Sequence, residues 1–523
     1  MHDLYIRNAR IPVGDGAYAD AALIRDGRFA FVGAEIDANV AADTQTFDAR
    51  GRLLLPGFVD GHAHLLGTGF AMRNVDLKET SSAEEAAQRV AARASLGKPG
   101  AWIRGAGWDQ NDWPRARFPH RNVLDRLIPD HPVALNHTSG HCIWVNSAAL
   151  GAAGVTREHE APFGGAIDRD EAGELTGILR DTASKLITDA IPSPSAAERD
   201  AAMSEAIAHA HALGVTGVHA MNVGRGEYQA VLALRDSERL RLRIRAFMTA
   251  DRLDEWLERN LATGDGDDMM RIGGVKFFAD GALGSMSAWM LEPYVDVPDA
   301  GFPLQPVEEL EMKVRACLEH GLAPAVHAIG DRANREVLDL YERLRDVAPT
   351  LPRRIEHAQL LTRHEIPRFG ALGVTASVQP IHATQDMQKV DRSWGARGDG
   401  AYAFASLLNA AATLAFGSDT PVETMDPIAG LHAAVTRQRR DGEPSDGWHP
   451  EERISLDAAI RAYTAGCAHA VAEEDVSGRI AEGYFADCVV LSDDLLSVDD
   501  PARLLDARVD ATIVGGEIVY ERN

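Results

Sequence analysis

The stretch LLLPGFVDGHAH, residues 53–64, is the most informative part of this sequence. Its apolar beginning predicts a buried strand, and the two-residue period of a strand places His62 and His64 on one face, just beyond the strand's carboxyl end. In a (β/α)8 barrel the catalytic groups lie at the carboxyl ends of the strands. Two imidazoles on one face can converge on one cation. Two satisfied polar residues in a loop are the alternative that this pair alone leaves open.

A second His-x-His pair lies in the segment SEAIAHAHALG, which has helical composition and stops at Gly214. Residues two positions apart on a helix point in very different directions, so His209 and His211 cannot share one metal ion. We expect this second pair to face solvent and to have no part in a site.

Three further segments repeat the design of the first, an apolar strand that ends in a metal-ligand residue. APAV leads to His327, RRIE leads to His357, and TLAFGS leads to Asp419. A lone histidine is commonly a satisfied core residue, so each segment by itself is weak evidence. Their recurrence in one chain favours a shared metal site, because independent structural accidents would have to coincide.

A lysine occupies an unusual place in the segment GGVKFFADG. Lys276 lies inside an apolar strand, where a bare ammonium is costly to desolvate. Such a lysine can be neutralised by an ion pair, by a lowered pKa, or by reaction with CO2 to form a carbamate. The carbamate would be an anionic oxygen ligand between two cations.

The chain is organised as a long α/β middle between two β-rich ends. Over residues 57–475 short apolar strands alternate with helical stretches, which predicts a (β/α)8 TIM barrel with an inserted segment around 100–180. Part of that insertion, residues 155–180, is polar and glycine-rich and predicts a hairpin or a lid. Residues 1–56 and 476–523 both show strand-and-turn patterning, so we expect them to form one small β-sandwich.

The strand-end segments resemble amidohydrolase family 3, the branch of the amidohydrolase superfamily that includes N-substituted formamide deformylases. The resemblance covers the chain from its first residues to its last. It rests on HAH after LLLPGFVDG, on VKFFADGALGS, HAIGDRA, RIEHAQ and FGSDTPVE, and on the tail beginning GRIAEGYFADCVVLSDD. Four candidate strands, in WIRGAGW, VALNH, VTGVHA and LRIRAF, separate His64 from Lys276 where the family has two, so two of them must be peripheral or inserted.

The resemblance implies a (β/α)8 barrel with a binuclear zinc-type centre bridged by a CO2-derived carbamate on Lys276. The strand order fits this expectation, since ligands would follow strands four, five, six and eight. Two divalent metal ions, with zinc as the expected metal, would be held by His62, His64 and Asp419 at the more buried position and by His327 and His357 at the other.

Such a centre implies an enzyme, a metal-dependent amidohydrolase acting on carbon–nitrogen bonds other than peptide bonds. A hydroxide bridging two cations is a nucleophile at neutral pH. Asp419 is placed to take its proton and deliver it to the departing nitrogen. The same parts would serve a lactonase, an esterase, a deaminase or a decarboxylase, and these alternatives stay open. A non-catalytic binding homologue is disfavoured, because it should have lost ligands and this chain has all of them.

The substrate is harder to predict. Tryptophans in IRGAGWDQNDWP and NHTSGHCIW, together with Trp289, would line a pocket for a small apolar or aromatic N-substituted amide, and Trp108 and Trp113 are the candidates in the first segment. Ordinary packing of an inserted subdomain is an equally good interpretation of these tryptophans. His141 and His219 are candidates for contact with substrate, and a structural role remains open for each.

Composition restricts the partners of this protein. Its 523 residues contain 53 Lys and Arg against 78 Asp and Glu, a net charge of −25, which argues against nucleic acid and membrane surfaces as partners. The four cysteines form no CxxC pair, and no signal peptide or membrane span is visible, so we expect a cytoplasmic protein. We expect a small-molecule substrate and a homodimer or larger homo-oligomer.

Overall fold

The computed structural model describes residues 3–14, 16–35, 38–42, 44–95, 100–114, 117–137, 142–162, 165–295 and 297–522. These residues form two compact units. The first unit consists of residues 1–68 and 203–523, and the second is Gly69–Ala202. No helix among the described residues is long and apolar enough to cross a membrane.

Short strands fill the amino-terminal part of the chain and lead into the first strand of a barrel. Their bounds are β1 (Leu4–Arg7), β2 (Ile11–Gly14), β3 (Ala17–Ala19), β4 (Ala21–Arg25), β5 (Arg28–Gly33), β6 (Gln45–Asp48), β7 (Leu53–Pro56) and β8 (Phe58–Ala63). Helix α1 (Leu65–Arg73) follows directly after the two histidines of the first motif.

The second unit contains a six-stranded mixed sheet with short helices. Its strands are β9 (Val75–Asp76), β10 (Ile103–Trp108), β11 (Val133–His137), β12 (Cys142–Val145), β13 (Gly165–Arg169) and β14 (Leu175–Asp181), in the order β13-β14-β12-β11-β10-β9. Its helices are α2 (Ala83–Ala94), α3 (Arg121–Asp125), α4 (Ser147–Ala152) and α5 (Lys185–Thr188), and α6 (Ala196–Ala212) begins in it.

The first unit contains eight parallel strands in the sheet order β21-β20-β19-β18-β17-β16-β15-β8. The bounds of those not yet given are β15 (Val215–Val223), β16 (Arg243–Thr249), β17 (Met270–Phe278), β18 (Pro324–Ala328), β19 (Arg353–His357), β20 (Val374–Val378) and β21 (Leu414–Phe416). The helices of this unit, besides the end of α6, are α7 (Arg225–Asp236), α8 (Leu253–Glu258), α9 (Val307–Glu319), α10 (Asp331–Arg343), α11 (Ile366–Leu372), α12 (Pro380–Gln385), α13 (Met387–Trp394), α14 (Phe404–Asn409), α15 (Pro427–Thr436), α16 (Leu456–Ala462) and α17 (Ala465–His469).

The eight-stranded sheet closes between its first and last strands. The Asp419 N–H donates to the His62 carbonyl at 2.7 Å, and the His64 N–H donates to the Thr420 carbonyl at 2.9 Å. Gly417 permits this approach, because a Cβ there would lie 2.4 Å from the backbone nitrogen of His62. The expected (β/α)8 barrel is therefore confirmed.

Strands from both ends of the chain form a sandwich beside the barrel, within the same unit. One sheet has the order β5-β4-β1-β6, and the other has the order β24-β23-β22-β7. The carboxyl-terminal strands are β22 (Cys488–Leu491), β23 (Val509–Val514) and β24 (Glu517–Glu521). The core between the sheets takes apolar side chains from both ends, including Ile6, Leu54, Val490 and Ile513. The predicted sandwich from both termini is confirmed.

The surplus of candidate strands before Lys276 is explained by the second unit. VTGVHA and LRIRAF form β15 and β16 of the barrel, whereas WIRGAGW and VALNH form β10 and β11 of the separate sheet. The segment predicted as a hairpin or lid contains the antiparallel pair β13 and β14. The second unit is longer than the insertion expected around 100–180, since it also takes in residues before β10 and after β14.

Candidate metal centre

The His-x-His motif is held in place by a buried carboxylate two residues before it. Asp60 accepts hydrogen bonds from the His62 N–H at 3.1 Å, the Ser418 N–H at 2.9 Å and the Ser418 hydroxyl at 2.5 Å. It thus ties β8 to the segment that carries Asp419. Burial raises the pKa of Asp60 to about 6, although these hydrogen bonds act in the opposite direction.

Ligand-type atoms converge at the carboxyl ends of the barrel strands. One such atom from each of His62, His357 and Asp419 lies within 4.8 Å of the others. His64 joins them through its Nε2, which lies 3.2 Å from Oδ1 of Asp419. The His327 ring lies 4.5 Å from that of His357, measured between centroids. The barrel therefore brings together the five imidazole and carboxylate side chains that the sequence singled out.

Each of the four histidines has one ring nitrogen occupied by a fixed partner. This arrangement orients the ring and leaves the other nitrogen available for a metal ion. The contacts are His62 Nδ1 with Glu356 Oε2 at 2.6 Å, His64 Nδ1 with the Met221 carbonyl at 3.1 Å, His357 Nδ1 with Gln379 Oε1 at 2.9 Å, and His327 Nε2 with the Gly281 carbonyl at 3.0 Å.

The pKa values of His62, His327 and His357 are lowered, which favours the neutral form that binds metal. Burial, followed by the positive charge of Lys276, lowers the pKa of His62 to about 4 and that of His327 to about 3. Burial and the charges of neighbouring imidazoles hold the pKa of His357 well below its usual value. Neutral imidazoles with one nitrogen held, around an ionised carboxylate, fit a divalent cation of the zinc type.

Lys276 lies on β17, in the interior of the barrel, with 1% of its surface exposed. Burial lowers its pKa to about 8, while the negative charges of Glu356 and Asp419 act to raise it. Among the residues that the structure describes, no carboxylate forms an ion pair with its Nζ within 4.0 Å, and the ring centroid of Phe278 lies 5.1 Å from that atom. Within the described part of the chain, a direct ion pair is therefore not what neutralises this lysine.

A buried ion pair inside the barrel, between Arg354 and Glu356, fixes the carboxylate that contacts His62. Arg354 and Glu356 are both buried, and Nε of the arginine lies 2.5 Å from Oε1 of the glutamate. The same guanidinium donates to the Gly61 carbonyl at 2.6 Å and the Ser377 hydroxyl at 2.8 Å. These contacts hold the carboxylate that accepts from His62.

His219 belongs to this internal network. Its Nδ1 lies 2.8 Å from a guanidinium nitrogen of Arg354, and its side chain is buried on β15. The contact favours the structural interpretation of His219, which the sequence left open.

Two of the ligand-type residues have strained backbone conformations. His357 has a φ of 71° and Asp419 has a φ of 58°, in the left-handed region that residues other than glycine rarely adopt. Such strain is concentrated at functional sites, where the surrounding structure imposes it. Here His357 is the last residue of β19 and Asp419 lies three residues after the end of β21, and both contribute ligand-type atoms to the cluster.

The tryptophans of the second unit are part of its core. Trp108 is fully buried, stacks on Trp113 with ring centroids 5.9 Å apart, and donates from its indole N–H to the Leu135 carbonyl at 2.9 Å. Trp113 donates to the Thr80 carbonyl at 2.8 Å. These contacts favour the packing alternative over a substrate pocket for both residues.

Trp289 lies elsewhere, in the loop after β17. It is half-buried, with the guanidinium carbon of Arg332 4.6 Å from its ring centroid. Its backbone N–H donates at 2.9 Å to Asp280, a fully buried carboxylate. The remaining substrate candidate, His141, lies outside the described residues.

The second His-x-His pair differs from the expectation in its exposure. Both residues lie on α6, but His211 is buried and its Nε2 lies 2.9 Å from the Arg241 carbonyl, while His209 is half-buried. The expectation that both face solvent was wrong, because the carboxyl end of α6 packs His211 against the segment that contains Arg241.

Sequence reasoning missed four residues around the centre. Asp60 could have been found, because it shares the two-residue period of His62 and His64. The others are Arg354, Glu356 and His382, the last of which lies on α12 directly after the seventh barrel strand.

These features have a counterpart in known proteins. The model of the amidohydrolase family matches residues 45–520. The chain belongs to this family. It is accordingly an enzyme of a metal-dependent family, a hydrolase that acts on carbon–nitrogen bonds.

Relatives of this chain include proteins from plants and bacteria. Protein LONG AFTER FAR-RED 3 of Arabidopsis thaliana is 35% identical over 99% of this chain and 91% of its own length. The putative amidohydrolase YtcJ of Bacillus subtilis is 34% identical over 92% and 91%. The N-substituted formamide deformylase of Arthrobacter pascens is 29% identical over 100% and 99%.

The fold is also found in a solved structure. An uncharacterized metal-dependent hydrolase from Pyrococcus horikoshii superposes with a TM-score of 0.80 at 28% identity, covering 95% of this chain and 98% of that one.

Proposed function

We propose that this protein hydrolyses the amide-type carbon–nitrogen bond of a small, apolar or aromatic N-substituted amide, with two divalent metal ions, expected to be zinc. The observation that carries the proposal is the convergence of His62, His357 and Asp419 at the carboxyl ends of three barrel strands, within 4.8 Å of one another. His64 and His327 adjoin that cluster. We assign His62, His64 and Asp419 to one ion and His327 and His357 to the other.

The bound cations would supply a polarised substrate carbonyl and water that ionises near neutral pH. The protein supplies ligands of fixed orientation, since each imidazole has its second nitrogen bonded to a carbonyl, amide or carboxylate oxygen. A buried setting strengthens these electrostatic effects, because little solvent screens them.

Asp419 is the residue that we assign to proton transfer. Its Oδ1 lies 3.5 Å from Nε2 of His62 and 3.2 Å from Nε2 of His64. Burial alone would raise its pKa, but electrostatic interaction with the His62 imidazole and the hydrogen bond of His64 hold that pKa well below the usual value. An ionised carboxylate at the strand end can accept a proton from the attacking water and pass it to the leaving nitrogen, which departs only when protonated.

We further propose that the amine of Lys276 is carboxylated. The unprotonated Nζ would attack CO2, forming an N–C bond and releasing a proton, and the product would carry one negative charge. Two features support this step. The lysine is buried, and no carboxylate of the described residues neutralises it by direct contact, so as an ammonium it would repel each divalent cation at close range.

The substrate class rests on a relative and on one local feature. The Arthrobacter pascens relative is named an N-substituted formamide deformylase, and its similarity extends over this whole chain. In the first unit, half-buried Trp289 offers an aromatic surface in the loop that follows the strand of Lys276. A formamide with an apolar or aromatic N-substituent combines both features.

The proposal is tested by metal analysis combined with a substrate panel. The purified protein should contain close to two divalent ions per chain, lose activity to a chelator and regain it with zinc, manganese or cobalt. N-aryl and N-alkyl formamides should release amine faster than matched lactams and esters.

A crystal of the metal-loaded protein should show three additional atoms on Nζ of Lys276. Full activity without metal would refute the proposal, and a bare Nζ with two ions bound would refute the carbamate.

A further inference from the structure

His382 is a buried histidine of the barrel that the assigned centre does not use. It lies on α12, which begins at Pro380 directly after β20, the barrel strand that carries no assigned ligand. Its side chain is nine-tenths buried. The imidazole of His382, in the short sequence QPIHA, therefore lies at the same end of the barrel as the ligand histidines.

The Nε2 atom of His382 lacks a hydrogen-bond partner. It is fully shielded from solvent, and no described residue lies in hydrogen-bonding position to it. Leaving a buried polar atom unpaired costs about 1–3 kcal/mol, so the great majority of such atoms in folded proteins are bonded. An unpaired nitrogen that the fold maintains at a functional site indicates a partner that is bound from outside the chain.

The His382 ring lies beside two residues of the cluster. Its plane is parallel to that of His357 within 5°, with ring centroids 6.3 Å apart. The Nε2 of His382 lies 4.0 Å from Oδ2 of Asp419, too far for a hydrogen bond. The other carboxylate oxygen, Oδ1, faces His62 and His64. His382 thus approaches Asp419 at Oδ2, whereas the His-x-His motif approaches it at Oδ1.

A donor role and a ligand role for His382 are separated by metal content. Like His64 and His327, His382 lies outside the group of ligand atoms within 4.8 Å of one another, which contains His62, His357 and Asp419. The ring borders the cluster at Asp419, the residue that we assign to proton transfer toward the leaving nitrogen.

We propose that His382 is a catalytic residue that donates a hydrogen bond from Nε2–H to the substrate's carbonyl oxygen as that oxygen becomes negative in the tetrahedral intermediate. The proposal rests on the proposed hydrolytic function. His382 forms and breaks no covalent bond in this role. A donor aimed at the developing negative charge stabilises the transition state more than the ground state, and loss of one such donor typically lowers turnover about 10²- to 10³-fold.

The test compares His382→Ala and His382→Asn with His211→Ala. His211 is a buried histidine near the end of α6, and its Nε2 lies 2.9 Å from the Arg241 carbonyl. Three quantities are measured on the metal-loaded proteins: metal content, affinity for methylphosphonate by calorimetry, and kcat and KM on the best amide of the panel. Methylphosphonate is a stable tetrahedral anion that resembles the intermediate.

We expect His382→Ala to keep both ions, to bind methylphosphonate at least about tenfold more weakly, and to lose about 10²-fold in kcat with little change in KM. His382→Asn retains an N–H donor and should recover part of both losses, and it serves as the test if the alanine variant fails to fold. His211→Ala should leave all three quantities unchanged.

Two results would overturn the assignment. Loss of one metal equivalent in both His382 variants would make the residue a ligand, and unchanged phosphonate affinity would remove it from the anion's surroundings. Absence of hydrolysis in the wild-type protein across the whole panel would instead refute the proposed function, while the phosphonate affinities would still decide whether His382 contacts a tetrahedral anion.

Discussion

At the scale of the residue, Asp419 is where the constraints of this site meet. Its backbone N–H makes one of the hydrogen bonds that close the barrel at β8, its φ is strained, and its two oxygens face different histidines. A residue with so many fixed neighbours cannot adapt easily to another ligand. The neighbours that impose the strained backbone therefore hold the Asp419 carboxylate in one orientation, and we expect this orientation to serve both metal binding and proton transfer.

Replacing Asp419 by asparagine separates these two roles. Asp419→Asn keeps the volume and one oxygen, so we expect a folded protein that retains much of its metal. The amide cannot accept a proton, and turnover should fall at least about 10²-fold, the lower end of the range for lost acid–base catalysis. Metal analysis and steady-state rates on the same preparation provide the check. Retention of most of the activity would reject Asp419 as the proton-transfer residue.

At the scale of the element, the ligand-type residues at the strand ends could be predicted from the sequence. The residues that contact or border them could not. A barrel strand is an apolar run that stops at a polar residue, so His327, His357 and Asp419 stand out in the sequence itself. Glu356 was hidden, because its partner His62 lies 294 residues away in the chain and nothing local marks the pair. His382 was hidden for a related reason, since it lies on a helix that begins after its strand ends.

The contrast between the two His-x-His pairs gives a prediction at this scale. His62→Ala removes an imidazole on a strand that faces the centre, so we expect loss of the more buried ion and of activity. His209→Ala alters a helix whose next histidine bonds a backbone carbonyl, so metal content and rate should stay at the wild-type level. The metal content of both variants is measured after dialysis. Equal loss from the two variants would show that strand and helix placement does not distinguish the pairs.

At the scale of the whole molecule, the first unit contains a sandwich and a barrel, and the strands of the sandwich come from distant parts of the sequence. The amino and carboxyl ends build the sandwich, and the barrel uses the chain between them except for the second unit. The composite sandwich could be predicted, because both ends share strand-and-turn patterning. The extent of the second unit could not, since its first strand, β9, is only two residues long and gives no periodic signal.

Barrel and sandwich are fastened by a buried ion pair. Arg243 at the start of β16 bonds Asp487 beside β22 with two contacts, Nε to Oδ2 at 2.5 Å and a terminal nitrogen to Oδ1 at 2.9 Å. Both side chains are almost fully buried. The guanidinium also lies 3.9 Å from the ring centroid of Phe485. The Asp487 charge outweighs the effect of burial, so the pKa of Arg243 is raised.

Breaking this pair should destabilise the first unit without touching the metal centre. Arg243→Met preserves the apolar stem over Phe485 but leaves the Asp487 carboxylate buried without its cation, a change that typically costs about 3–5 kcal/mol. Asp487→Leu leaves the guanidinium uncompensated in the same way and also removes the acceptor of the Gly515 N–H. The double variant contains no isolated buried charge, so its loss of stability should be smaller than the sum of the two single losses. Urea unfolding midpoints of the four proteins, with metal content as a control, measure the difference. Strictly additive losses would mean that the two side chains stabilise the protein independently, and that the bidentate contact is not what fastens the sandwich to the barrel.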